Sequence, residues 1–199
     1  MTENLRVMHY RDGTPILTGL SGDEWSDAGG QETGAAAIYD PARIPGLDSE
    51  ADVAEAYGLL YNWFAVVDPA GLCPEGWKVP GDDQWSELTE HLIDIDDEIS
   101  RRTVGQVLKS RRQEDSPLSG DDAVAEHPRW NANDSHYGTN SSGFNALPGG
   151  FRWGMGLYGS LGEQGTWWTS SESRANVWIR SLRFTNSQLN RDDGINKAY

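Results

Sequence analysis

The sequence predicts an α+β domain on three observations. Two stretches before Asp94 carry apolar residues at helical spacing, whereas the chain after Phe144 is cut into short extended runs. Long segments rich in Gly, Asp, Asn and Ser lie between them. Helices gathered ahead of a group of antiparallel strands, without β–α alternation, are the mark of that class.

Taken in order, residues 4–11 alternate weakly and run into the turn pair Asp12-Gly13, which predicts a strand and a turn. Residues 20–45 read as a long ordered loop anchored by Trp25 and Tyr39. Asp48 or Ser49 caps a helix over 51–67, where Ala54, Tyr57, Leu60, Tyr61 and Phe64 form one stripe. A turn and a short strand follow over 73–80. Asp82 or Asp83 then opens a second helix through Trp85, Leu88, Leu92 and Ile93. Residues 94–130 read as a charged insertion holding a third short helix at Val104, Val107 and Leu108 and an acidic, flexible loop over 115–127. After an Asn/Ser/Gly loop, 144–152 forms a strand bent at Pro148-Gly149-Gly150. A glycine-rich connection over 154–165 leads to strands at 167–171, 177–184 and 187–191.

The strand at 177–184 is the informative one. Trp178, Arg180, Leu182 and Phe184 share one face, predicted to pack, with Arg180 needing a polar partner. Val177, Ile179, Ser181, Arg183 and Thr185 share the other, predicted to be open. That mixture of apolar, polar and cationic residues reads as a recognition surface more than a solubilising one.

Composition narrows the function. A chain of 199 residues suits one domain spanning 1–199. Nine Trp and 23 Gly against 37% hydrophobic residues describe a loop-rich domain with a core of a few large aromatics. A net charge of −15 argues against sequence-independent nucleic-acid binding and against anionic membranes. There is no apolar run of about 18 residues, so no direct membrane insertion is expected. No signal peptide is visible. Cys73 is the only cysteine and permits no internal disulfide.

Enzyme signatures do not emerge. His9, His91, His127 and His136 show no ligand spacing, and His127 and His136 read as solvated. The segment Trp130 to Asp134 faintly resembles the Trp-Asn-Asp element of sugar-binding C-type lectins, but a partner Glu-Pro-Asn or Gln-Pro-Asp is missing. The acidic run Asp94, Asp96, Asp97, Glu98 reads as a solvated face. No metal, cofactor or catalytic residue is assigned. Trp77, Trp85, Trp167, Trp168 and Trp178 are expected in the core, while Trp153 either packs a loop or stacks a sugar.

The motifs CPEGWKVP, GFNALPGGFR and TWWTSSES, with YGLLYNWFAVVD and VWIRSLRF, resemble the Fibrobacter succinogenes major paralogous domain (FISUMP) over almost the whole chain. The resemblance implies a C-type-lectin-like fold in the formylglycine-generating-enzyme-like branch, with two main helices, short antiparallel strands and long ordered loops. That branch's chemistry uses a cysteine pair, which Cys73 alone does not supply. The family pattern continues with a last strand of the form GFSVRC that is absent after Tyr199. The expectation is therefore of a fragment, with Cys73 either packed or paired beyond the end.

Some relatives are variable proteins of diversity-generating retroelements, which retarget a C-terminal segment by mutating adenines in asparagine codons. An AAC codon so changed cannot become Trp, Lys, Glu, Gln or Met. The candidate variable region is 165–199. Its outward positions by family pattern are Ser173, Arg174, Val177, Ile179, Ser181, Arg183, Thr185, Asn186, Asp192, Asp193, Gly194, Ile195 and Tyr199, none of a forbidden type. Trp167, Trp168, Glu172, Trp178 and Lys197 would be framework. The resemblance thus implies a ligand- or receptor-binding protein, displayed on a cell or phage particle and directed at a protein or glycan on another surface. A fixed-specificity adhesin of the same fold is the alternative.

Overall fold

A computed structural model describes residues 3–120 and 125–197. The order is α1 (Gly22–Gly30), β1 (Ala36–Ala37), a 3-10 turn (Pro41–Arg43), α2 (Glu50–Tyr57), β2 (Leu60–Tyr61), α3 (Trp63–Val67), α4 (Asp82–Ile95) and α5 (Val104–Leu108). Then come β3 (Gly149–Arg152), β4 (Tyr158–Leu161), β5 (Gln164–Ser173), β6 (Asn176–Arg183) and β7 (Asn190–Asn196). The α+β class stands.

The predicted loop over 20–45 holds a helix and a short strand instead. α1 starts on a capping box in which Ser21 Oγ accepts from Glu24 N–H and the Glu24 carboxylate accepts from Ser21 N–H. The spacing of Ser21 and Glu24 was the available signal. Its stripe is carried by Trp25 and Ala28, too few apolar residues to show as a period. The helix predicted over 51–67 breaks in two. Gly58 sits at φ +76°, and a Cβ there would meet Asn4 Cβ at 2.6 Å. Asn62 restarts the helix by accepting from Ala65 N–H at 3.0 Å, and also accepts from Ala35 N–H at 2.9 Å. The strand predicted within 73–80 is a turn and extended chain. α4 and α5 form where the apolar spacing placed them.

Five strands make one sheet in the order β4-β3-β5-β6-β7. It is mixed, because β3 runs parallel to β5 through Gly150 and Gly165, whereas the other neighbours are antiparallel. α4 and α5 lie against one side of β5–β6. There Leu92, Val104, Leu108, Trp130, Ala146 and Leu182 form a buried cluster, to which residues from the charged 94–130 segment contribute. Trp85, Phe144 and Trp167 stack beside it with ring centroids 5.6–6.3 Å apart. On the opposite side, Trp63 Nε1 of α3 donates to Thr169 O, and Trp168 Nε1 donates to Tyr61 O.

The prediction of one open face on β6 fails. Val177, Ile179 and Ser181 are buried together with Arg180 and Leu182, and only Arg183 is exposed. β6 is an inner strand with a neighbour on each edge and cover on both faces, so its side chains do not divide into wet and dry. Trp178 and Phe184, expected inside, are half-buried.

Candidate functional site

The C-terminal strands are fixed to the scaffold by a few polar contacts. Asp82, the first residue of α4, accepts from Arg180 at 2.6 Å and from Arg191 at 2.7 Å. Arg180 also reaches Asp82 O at 2.8 Å and Ser86 Oγ at 3.0 Å. An acid at a helix N-terminus that bridges two arginines is favoured by both the helix dipole and charge-assisted bonding. Burial pushes the Asp82 carboxyl up, but hydrogen bonds and charge from Arg191 and Arg180 outweigh it and hold the pKa below 3.8. Arg191 lies over the Trp178 ring at 3.6 Å. One carboxylate thus joins α4 to β6 and β7.

Further contacts hold the strand ends. Lys197 pairs with Glu172 at 2.8 Å and sits over the Trp63 ring at 4.8 Å. Ser173 Oγ donates to Asp193 Oδ2 at 2.8 Å. At the far end of β6, the turn into β7 rests on Lys109, which is 1% exposed. Its ammonium donates to the carbonyls of His136, Arg183 and Asn186, the last two at 3.1 and 3.0 Å. Burial pushes Lys109 down to about 8, so it remains charged at neutral pH.

The expected recognition positions fall into groups. Arg174, Asp192, Asp193 and Gly194 are exposed, with Ser173 and Ile195 half-buried beside them on the β5–β6 turn and β7. Arg183 and Thr185 are exposed and Asn186 half-buried at the opposite end of β6. Seven residues at about 3.3 Å each separate the two ends by roughly 23 Å. Val177, Ile179 and Ser181 are excluded from any outward surface by burial, and Tyr199 lies outside the described residues.

Two concavities were not foreseen. A mostly apolar groove of about 740 Å³ runs between the N-terminal segment at Asn4 and Leu5 and the β5 tryptophans Trp167 and Trp168. Trp77 stands on its rim, 66% exposed, against the expectation of a core residue. Trp77→Ala is therefore expected to change the unfolding free energy by no more than about 0.5 kcal/mol in urea titration. Trp25→Ala, at a position 1% exposed, is expected to cost about 3–5 kcal/mol. A smaller polar hollow of about 280 Å³ lies beside β4 and includes His127 and Arg129. His127 and His136 are half-buried and bonded to Tyr57 and Ser187 rather than solvated. Trp153 packs edge-on against Phe151 at 4.7 Å while 44% exposed. Among the described residues no cluster of three His, Cys, Asp or Glu side chains could hold a metal ion, and no helix is long and apolar enough to cross a membrane.

The family model of the Fibrobacter succinogenes major domain matches residues 1–198. The chain belongs to that family. No curated protein and no solved structure matches it. For this Fibrobacter succinogenes major domain, the family match spans both the polar ties of the C-terminal strands and the two concavities.

Proposed function

We propose that this chain is a non-enzymatic ligand-binding protein with a C-type-lectin-like fold. Its recognition residues lie on the β5–β6 turn and β7, and its target is a protein or glycan on another cell or a phage. We further propose that this surface is diversified, as in the variable proteins of diversity-generating retroelements. The observation that carries the reading is the division of labour on β7. Arg191 and Lys197 tie the strand to Asp82, Trp178, Glu172 and Trp63, and Ser173 holds Asp193, while Asp192 and Gly194 between them face solvent. A strand anchored at its ends and open in its middle can change its central side chains without unsettling the domain. Arg, Ser, Asp and Gly also suit adaptable polar recognition.

The genetic test is a near-repeat of the codons for residues 165–199, differing at adenines and lying beside a reverse transcriptase. Its absence from the complete locus would remove diversification. A physical test needs only the protein. Asp192→Ala and Gly194→Ser are expected to shift the unfolding free energy by no more than about 0.5 kcal/mol. At Gly194 a new Cβ would meet only the Asp192 carboxylate, at 3.1 Å. Val177→Ala, at a position 0% exposed, is expected to cost about 1–3 kcal/mol through lost burial and a residual cavity. Equal sensitivity at the three positions in thermal melts would contradict the proposed surface.

A further inference from the structure

We propose that the polar hollow beside β4 binds a sugar acid, a single ring carrying one carboxylate and adjacent hydroxyls. The hollow lies at the β4 edge of the sheet, four strand spacings from β7. At about 4.8 Å each these place it roughly 19 Å from the recognition strand, so it is a separate site that does not depend on the reading of β7.

Its volume of about 280 Å³ is an open hollow lined by three chain segments, which bring Arg43, His127, Arg129, Asn131, Ser160 and Glu163 to one place. Two guanidinium groups and one carboxylate, Glu163, line the hollow, with Asp40 and Glu114 standing behind the two arginines. Neither guanidinium is used up. Arg43 makes only a long, exposed contact of 3.6 Å to Asp40. Arg129 is braced by Glu114 at 2.9 Å and by the carbonyl of Ala125, which leaves three of its five N–H groups. Paired guanidinium donors are suited to a carboxylate.

The histidine adds a neutral ring tied to Tyr57. The Arg129 backbone N–H donates to the Tyr57 hydroxyl oxygen at 3.2 Å, and that hydroxyl is hydrogen-bonded to His127 Nδ1, 2.5 Å away. Burial, and then the Arg129 charge, lower the His127 pKa and keep the ring neutral at pH 7. Asn131, Ser160 and Glu163 offer the mixed donors and acceptors that sugar hydroxyls need. Glu163 also disfavours a compact, highly charged anion such as phosphate. The volume lies at the small end of ligand pockets, which suits one ring.

The test is titration of the full chain at pH 7 with D-glucuronate, D-glucose and inorganic phosphate, read by calorimetry. Glucuronate is expected to saturate with a dissociation constant of about 1 mM or lower, and glucose and phosphate to bind at least about tenfold more weakly. Arg43→Gln, on an exposed side chain, is expected to weaken glucuronate about tenfold with an unchanged melting temperature. Arg129→Gln should do the same. If that variant fails to fold, Arg43→Gln decides. Absence of glucuronate binding, phosphate binding as tight as glucuronate, equal binding of glucose, or an Arg43→Gln variant that binds normally would each overturn the assignment.

Discussion

Asp82→Ala is expected to lower the unfolding free energy by about 3–5 kcal/mol, the range for removing one partner of a buried ion pair. The side chains of Asp82 and Arg180 are 13% and 5% exposed, so water does not replace the lost carboxylate at Arg180. Arg180 Nε already lacks a partner, and the variant leaves the guanidinium with only Asp82 O and Ser86 Oγ. Arg191 would also lose its hold beside Trp178, so amide exchange should quicken over β7 before the rest of the sheet. The double variant Asp82→Leu/Arg180→Met should recover much of the loss, because apolar replacement of both partners removes the stranded charge. A cost below about 1 kcal/mol for Asp82→Ala in denaturant titration would show that the contact is not the clamp described.

The same carboxyl gives a signed pH dependence. Its pKa lies below 3.8 in the folded protein, so between the two values the unfolded chain binds a proton that the folded chain does not. The stability contribution is complete above the unfolded pKa and is lost as pH falls through the folded one. The wild-type protein should therefore lose its advantage over Asp82→Ala as acid is added below about pH 4.

Local chemistry was legible in the sequence where it acts within a few residues. Asp82 opening a helix, the apolar spacing of α4 and α5, and the need of Arg180 for a partner all belong to this kind. The burial of both faces of β6 was not legible, because alternation shows which residues share a side but not what covers it. Ser181 looks like a solvent residue and is 4% exposed, since alternation does not show that β7 pairs along one edge of β6 or that the sheet is covered. Trp77 fails in the opposite direction. A tryptophan in a patterned motif suggests core, yet its turn carries it to the rim of a groove. The polar hollow was invisible for a similar reason, because its arginines are 86 residues apart, at positions 43 and 129. The tie between Lys109 and the β6–β7 turn likewise joins residues more than 70 apart.

Lys109→Met carries the second large expected effect. Methionine keeps the length and apolar stem of lysine but removes the three hydrogen bonds to His136, Arg183 and Asn186. Arg183 O keeps the Asn186 N–H at 3.5 Å, but the carbonyls of His136 and Asn186 lose this donor, and at about 1–3 kcal/mol for each unsatisfied group a loss of about 2 kcal/mol or more is expected. The contact of the ammonium with the Trp130 ring, 5.6 Å from its centroid, is lost as well. Stability alone would not distinguish a core defect from a loosened turn. The distinguishing readout is local. Exchange of the amides at 183–188 should rise relative to those in α2, whereas Leu108→Ala, which removes packing one residue away, should raise exchange in the α4–α5 cluster around Leu92 and Val104. If Lys109→Met leaves the 183–188 amides as protected as in the wild type, the ammonium is not what holds the turn, and Arg183, Thr185 and Asn186 must owe their placement to the β6–β7 backbone.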